Sequence, residues 1–486
     1  MLLSLCGLVL FSGVFLPDSS GQSSSFPMGF HDGWPPIQEE ATAFADSAVG
    51  RLSTTQETTQ NKTKDRPNLL IFLTDDQRFD QMGCAGHPTL QTPNMDALAS
   101  AGIRFSNAFV STPICAASRA SLMTGRREGS HGFTFGKPPM GHALAEDTFF
   151  AHLRRAGYRT GFVGKWGVKF ADDATGKLFD LFLPMNQPYL IPGKPHLTDR
   201  IAKASLDFLH GEGPFCLMVS FWAPHAEDSH PQQYLPPKDL QSLFAELNPP
   251  PPADAETGFQ ALPEFLKKSL GRKRWHWRFD SRQKQIQRTK DYWRMISGVD
   301  RAIGTVVDEL KKRGLEDRTT IIFTSDNGYF LGERGLAGKW LIYEESIRVP
   351  FLLFDPNLPP KLRGTDRQEM VLNLDLAPTI LEIASLEVPP SYQGRSLLPF
   401  LRGEEPSWRE DFLFEHRFHH PDIPKSVGIR GRRWVYARYF EQDPVYEQLF
   451  DLVQDPKEFQ NLAQDPKFAE VLAGQRARCD ALLKQN

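Results

Sequence analysis

Two short apolar runs constrain the fold of this chain more than any other feature. LLIFLT (69–74) and TTIIFTS (319–325) are too short for a typical helix and show no polar alternation. That is the pattern of strands buried on both faces in the interior of a parallel sheet. A third run, PFCLMVSFW (214–222), reads the same way. Between the runs lie stretches of helical pattern at 94–101, 145–156 and 291–313, and strand–helix alternation of this kind gives an α/β fold, a large mixed, mostly parallel sheet flanked by helices. After about Pro399 the texture changes to aromatic-rich, strand-like pieces such as GRRWVYARYF and a closing amphipathic helix over 466–484, which predicts a smaller C-terminal α+β subdomain.

Both flanking runs end in polar pairs, Asp75-Asp76 and Asp326-Asn327. Open α/β sheets collect ligands beyond the carboxyl ends of their strands, so the two pairs are expected to be neighbours despite their separation in sequence. Three carboxylates and one amide form an all-oxygen set that suits Ca²⁺ or Mg²⁺, whereas zinc would favour His or Cys. The alternative is that each pair only caps the loop or helix after it.

The stretch STPICAASRASLMTGR (111–126) places one cysteine at an expected helix start, with Gly125 as the stop. Free N–H groups and the helix dipole there favour an anion, and Arg119, one turn on, faces the same side. A tetrahedral anion would fit such a pocket. A buried structural thiol is one alternative. A thiolate nucleophile with His225 as its base is another. The five cysteines, Cys6, Cys84, Cys115, Cys216 and Cys479, form no metal or redox pair and are too scattered for a disulfide framework. With 486 residues and a formal net charge of −3, the chain has room for a sizeable core and lacks the basic excess of a nucleic-acid-binding protein.

Residues 1–20 read as a signal peptide, an apolar run shorter than the roughly 20 residues of a membrane span, so export without a transmembrane anchor is expected, to a periplasmic, extracellular or lysosomal compartment. Residues 21–65 read as a low-complexity linker, with a sequon at Asn61-Lys62-Thr63. Residues 66–400 form the expected catalytic domain and 401–486 the C-terminal subdomain. Within the former, 232–283 is an insertion of loop and short helix, including NPPPPADAETG.

CAASRASLMTGR resembles the signature of the sulfatase family, C-x-P-S-R followed by x-x-L-x-T-G-R. Further matching segments stand in family order from about Arg66 to Ala463: PNLLIFLTDDQR, TPNMDALASAG, YRTGFVGKW, FWAPH, DYWRMISGVDRAIG, IIFTSDNG, GKWLIYEESIRVPFLLF and LFDLVQDPKEFQNLA. The resemblance implies an alkaline-phosphatase-like fold and conversion of Cys115 to formylglycine by a maturation enzyme. It implies a cation, usually Ca²⁺, on Asp75, Asp76, Asp326, Asn327 and the modified Cys115. It also implies attack of the hydrated aldehyde on sulfur, with Arg119, Lys165 and Lys339 neutralising the sulfate and His225, with Lys339, as general acid.

The implied activity is sulfuric ester hydrolysis on a sulfated carbohydrate or aryl sulfate. The alternatives are a phosphate or phosphonate ester hydrolase of the same superfamily and a catalytically impaired homologue that keeps the anion pocket. Two positions depart from the family pattern. Ala117 stands where proline is commoner. In GKWG, Gly167 replaces the histidine that would accept the second diol proton, so breakdown of the sulfated enzyme is expected to limit turnover and Gly167→His to relieve it. GRKRWHWRFDSRQKQIQRTK (271–290) interleaves cations with Trp275, Trp277 and Phe279, either a subsite for a sulfated polysaccharide or a solvated helix start. His416, His419 and His420 lie where the C-terminal part of this fold leans over the site.

Overall fold

The computed structural model of the protein describes residues 66–135, 139–171, 174–253 and 255–485. The signal-like stretch, the linker, Cys6 and Asn61 lie outside the described residues.

The apolar runs form the centre of an eight-stranded sheet. In chain order its strands are β1 (Asn68–Thr74), β2 (Ile103–Phe105), β3 (Arg159–Gly164), β4 (Leu181–Pro184), β5 (Phe215–Ser220), β6 (Thr319–Ser325), β7 (Phe351–Phe354) and β8 (Thr365–Arg367). Their spatial order is β8-β2-β7-β6-β1-β5-β3-β4. Strand β7 alone runs antiparallel to its neighbours β2 and β6; the other pairs are parallel. Every residue of β1, β5 and β6 is buried, as uninterrupted apolar runs require when both faces are covered.

Alternation along β1 divides the core. Leu69, Ile71 and Leu73 pack on one face with the helix Cys115–Thr124 and the helix Leu376–Ile383. Leu70 and Phe72 pack on the other with Pro93–Ala101, Leu197–Leu206 and the long helix Arg282–Lys312. That long helix begins nine residues before the stretch expected from periodicity. Ser281 caps it by accepting a hydrogen bond from the Lys284 N–H (3.3 Å), and its first two turns are too polar to show a hydrophobic stripe. The expected helix over 145–156 is two pieces, His142–Glu146 and Phe149–Arg155, because Thr148 caps the second.

Strands β9 (Asp411–His416), β10 (Ser426–Gly431), β11 (Trp434–Tyr439) and β12 (Tyr446–Asp451) form an antiparallel meander on which the last helix, Ala469–Leu483, packs. The loop joining β9 to β10 brings Phe418 and Ile423 against Ile114, Ala117, Leu270 and Trp340. The C-terminal sheet is thereby fastened to the segment that carries Cys115. Among the described residues, no helix is long and apolar enough to cross a membrane.

Candidate active site

Strand register brings the distant sequence motifs together. Thr74 of β1 lies opposite Ser325 of β6, so Asp75-Asp76 and Asp326-Asn327 follow side by side. On the other flank of β1, Leu73 lies opposite Ser220, and Ser220 opposite Gly164. Lys165, Ser220, Asp75 and Asp326 therefore stand at the carboxyl ends of four adjacent parallel strands, the place where open α/β sheets bind ligands. Gly164 is obligatory here. Its φ is +110°, and a Cβ would lie 1.9 Å from the Ser220 carbonyl oxygen.

Cys115 is the first residue of the helix Cys115–Thr124 and is buried. Gly125 closes that helix with a left-handed φ of 63° and returns its N–H to the Ser121 carbonyl. Arg119 points back under the strand ends. Its Nε donates to Asp326 Oδ2 (2.8 Å), its Nη1 donates to the Lys165 carbonyl and to Ser220 Oγ (2.7 Å each), and its Nη2 is buried with no partner. Ser220 Oγ in turn donates to the Lys165 carbonyl (2.8 Å).

Lys165 Nζ pairs with Asp75 Oδ2 and sits 4.3 Å from the Trp222 ring centre. Lys339 Nζ pairs with Asp76 Oδ1 (2.5 Å) and lies 3.7 Å from Asp75 Oδ1. Asn327 Nδ2 donates to Asp76 Oδ1 (2.6 Å). His225, in the loop after β5, has Nε2 3.6 Å from Asp76 Oδ2, while its Nδ1 meets the Ala226 carbonyl (2.5 Å). Asp76 and Trp340 hold left-handed backbones, φ 65° and 83°, strain of the sort that concentrates at functional sites.

The electrostatics follow from burying charges of both signs together. Burial would raise the Asp75 carboxyl, but Lys165, then His225 and Lys339, hold it well below the usual range. Burial and the neighbouring Asp75 push Asp326 up to about 6, against Arg119. Burial raises the Cys115 thiol, opposed by Lys165 and Lys339. A reactive thiolate would need the reverse, so the thiolate-nucleophile alternative loses its support. Burial lowers His225, opposed by Asp75 and Asp76.

Two acceptors in this cluster, Asp75 Oδ1 and Asn327 Oδ1, are buried with no hydrogen-bond partner. Asp75, Asp76 and His225 each bring a ligand atom within 4.8 Å of one another. Orphaned oxygens converging between carboxylates fit a hard cation, and plain capping would not leave them unpaired.

Three expectations are revised. Gly167 does not leave an empty slot for a histidine: its φ is +70°, and a Cβ would lie 3.0 Å from Arg119 Cδ. Within the basic stretch 271–290, Arg278 is fully buried and Arg272 is stacked on Phe259 and Trp275. Arg274 is locked to Asp228, leaving Lys273 half exposed beside Asp422. His416 is buried, away from solvent at the end of β9, unlike His419 and His420. Residue patterning alone missed Ser220 and Asp228. A lone serine closing the otherwise apolar run PFCLMVS was the available signal for the first; nothing marked the second.

The chain belongs to the sulfatase family: the sulfatase model matches residues 67–386, and the N-sulphoglucosamine sulphohydrolase C-terminal model matches 332–485. It is accordingly a sulfuric ester hydrolase. It is 26% identical to an N-acetylglucosamine-6-O-sulfatase of Bacteroides thetaiotaomicron, over 85% of each chain, and 30% identical to a choline-sulfatase of Rhizobium meliloti, over 83% of this chain and 84% of that one. Its fold matches a solved structure holding its substrate D-glucosamine-2-N,6-O-disulfate, with a TM-score of 0.77 and 25% identity, covering 87% of this chain and 99% of the other.

Proposed function

We propose that the protein removes sulfate from a sulfated amino sugar or related carbohydrate, using Cys115 after its oxidation to formylglycine. The observation that carries this reading is the convergence at four strand ends of the oxygen-only cluster, Lys165 and Ser220 around the helix start that bears Cys115. Asp75, Asp76, Asp326 and Asn327 would hold Ca²⁺, with Mg²⁺ second, and the ion would polarise a sulfate oxygen as a Lewis acid. The hydrated aldehyde would supply the hydroxyl that displaces the sugar from sulfur.

The chain's own residues do the rest. The first N–H groups of the Cys115 helix and the unpartnered Nη2 of Arg119 meet the anion, and Lys165 and Lys339 neutralise charge as it shifts onto the sulfate oxygens. His225 donates from Nδ1 to the Ala226 carbonyl, which leaves Nε2 as the ring atom that exchanges a proton with the departing sugar oxygen. Burial of Cys115 keeps bulk water from competing. The relatives with amino-sugar substrates support the carbohydrate class. The apolar residues 1–20, and an extracellular sulfatase homologue of Drosophila melanogaster among the relatives, support export.

Peptide mass spectrometry of natively expressed protein, paired with sulfate release from O-sulfated and N-sulfated glucosamines and from a phosphonate monoester, tests this. An aldehyde at Cys115 and preference for a sugar sulfate are expected. An intact thiol in protein that still turns over, or preference for the phosphonate, overturns it. For the ion, Ca²⁺ should raise the melting temperature of chelator-treated enzyme, and Asp326→Asn should abolish that rise.

A further inference from the structure

The loop after His225 and the helix Leu270–Arg278 build a second polar group beside the reacting centre. Asp228 receives Arg274 Nη2 on Oδ2 (2.6 Å) and Arg278 Nη2 on Oδ1. Arg278 is fully buried and fixed from two further sides, by Gln233 Oε1 (2.9 Å) and the Tyr329 hydroxyl. Arg274 lies 5.1 Å from the ring centre of Trp340, the residue after Lys339. Lys339 itself shares a small cleft with Gly271 and Ile423. Asp228 is close enough to feel the charges of both His225 and Lys339.

The clamp on Asp228 is incomplete. A carboxylate offers about four acceptor positions, and the two arginines use one on each oxygen. The Asp228 side chain is still 27% exposed, which leaves acceptor capacity within reach of a ligand. Arg274 is buried, and its Nε is without a partner. A carboxylate and a guanidinium held rigidly side by side match two adjacent hydroxyls, each of which donates to one and accepts from the other. Phe418 packs where Leu270 and Trp340 meet the Cys115 segment, and it pairs with the exposed Phe135, ring centres 4.9 Å apart. Such an aromatic pair suits the apolar face of a pyranose ring.

We propose that Asp228, held by Arg274 and Arg278, is the specificity-determining residue of this site, accepting hydrogen bonds from neighbouring hydroxyls of the sugar that carries the sulfate. This rests on the carbohydrate reading above. Asp228→Asn should lower kcat/KM for the sugar sulfate at least about tenfold more than for a small aryl sulfate, chiefly through KM. Equal losses on both substrates, or a loss carried by kcat, would mean that Asp228 acts through His225 and would overturn the inference.

Because the variant removes a charge between two arginines, a second measurement uses the wild-type enzyme. An unsulfated methyl pyranoside should quench tryptophan fluorescence on binding, and its per-O-methylated analogue, which has no hydroxyl to donate, should not. Equal binding of the two, or of neither, overturns the inference. Binding does not require turnover, so a protein that takes the free sugar but cleaves no sulfate ester keeps this inference and loses the functional reading.

Discussion

Gly167 lies where an added side chain would press directly on Arg119. The family's histidine at this place would need a Cβ, and the Cβ would press on an Arg119 already held at three points by Asp326, Ser220 and the Lys165 carbonyl. A left-handed φ adds about 1 kcal/mol for any residue with a side chain. Gly167→Ala should therefore lower the melting temperature by a few degrees and kcat at least about tenfold, since Arg119 must yield. Gly167→His should behave worse still, the reverse of what the family pattern alone suggests. Parallel melting curves and turnover of a small aryl sulfate check both; a gain in kcat for either variant would show that Arg119 has room to move.

At the scale of the elements, the site is a consequence of parallel register. Two strands that end on facing residues deliver the following two residues of each to the same place, and the third and fourth strands deliver Ser220 and Lys165. Ser220 ties them together, accepting from Arg119 and donating to the Lys165 carbonyl. Ser220→Ala leaves a guanidinium N–H short of an acceptor in a buried site, a cost of about 1–3 kcal/mol. It should lower kcat more than KM, and Ser220→Thr, which keeps the hydroxyl, should recover most of the loss. Loss of soluble protein with both variants would instead assign Ser220 to folding.

The same geometry explains what was legible in the chain beforehand. Asp75, Asp76, Asp326, Asn327, Cys115 and Arg119 lie on short motifs whose local pattern carries their place at strand ends and a helix start. The Asp228–Arg274–Arg278 cluster was not legible, because its members come from a loop and an insertion helix whose meeting depends on tertiary packing. The partners within the basic stretch 271–290 were not legible for a related reason: sequence shows that Arg272, Arg274 and Arg278 are charged, but not that each has a partner waiting inside. The start of the helix Arg282–Lys312 was missed because a capped, solvent-facing first turn needs no apolar stripe.

For the whole molecule, the join between the Cys115 segment and the C-terminal sheet is expected to weaken as pH rises. Glu128, just after the signature helix, is buried beside Glu415 of β9. Its Oε2 accepts from the Arg417 N–H (3.2 Å) and, weakly, from the Thr112 hydroxyl (3.4 Å), while its Oε1 is buried with no partner. Glu415 accepts from the Arg417 guanidinium and from the Gly129 N–H (3.2 Å), which fastens it to the same turn. Burial first, and Glu415 second, push the Glu128 carboxyl up to about 8 from its ordinary 4.5, against Arg417 and Thr112.

Because the folded state holds this proton more tightly than the unfolded state, the folded protein carries more protons between pH 4.5 and 8. Its stability is then full at the acid end of that window and falls as pH rises through it. The loss should be on the order of 3 kcal/mol between pH 5 and 8. Glu128→Gln, which copies the protonated acid in shape and hydrogen bonding, should flatten the slope and leave the variant more stable than the wild type at pH 8. Urea unfolding at the two pH values reads this directly. A wild-type midpoint that rises from pH 5 to pH 8, by an amount that Glu128→Gln does not change, would place the ionised carboxylate in the fold and remove Glu128 from the balance.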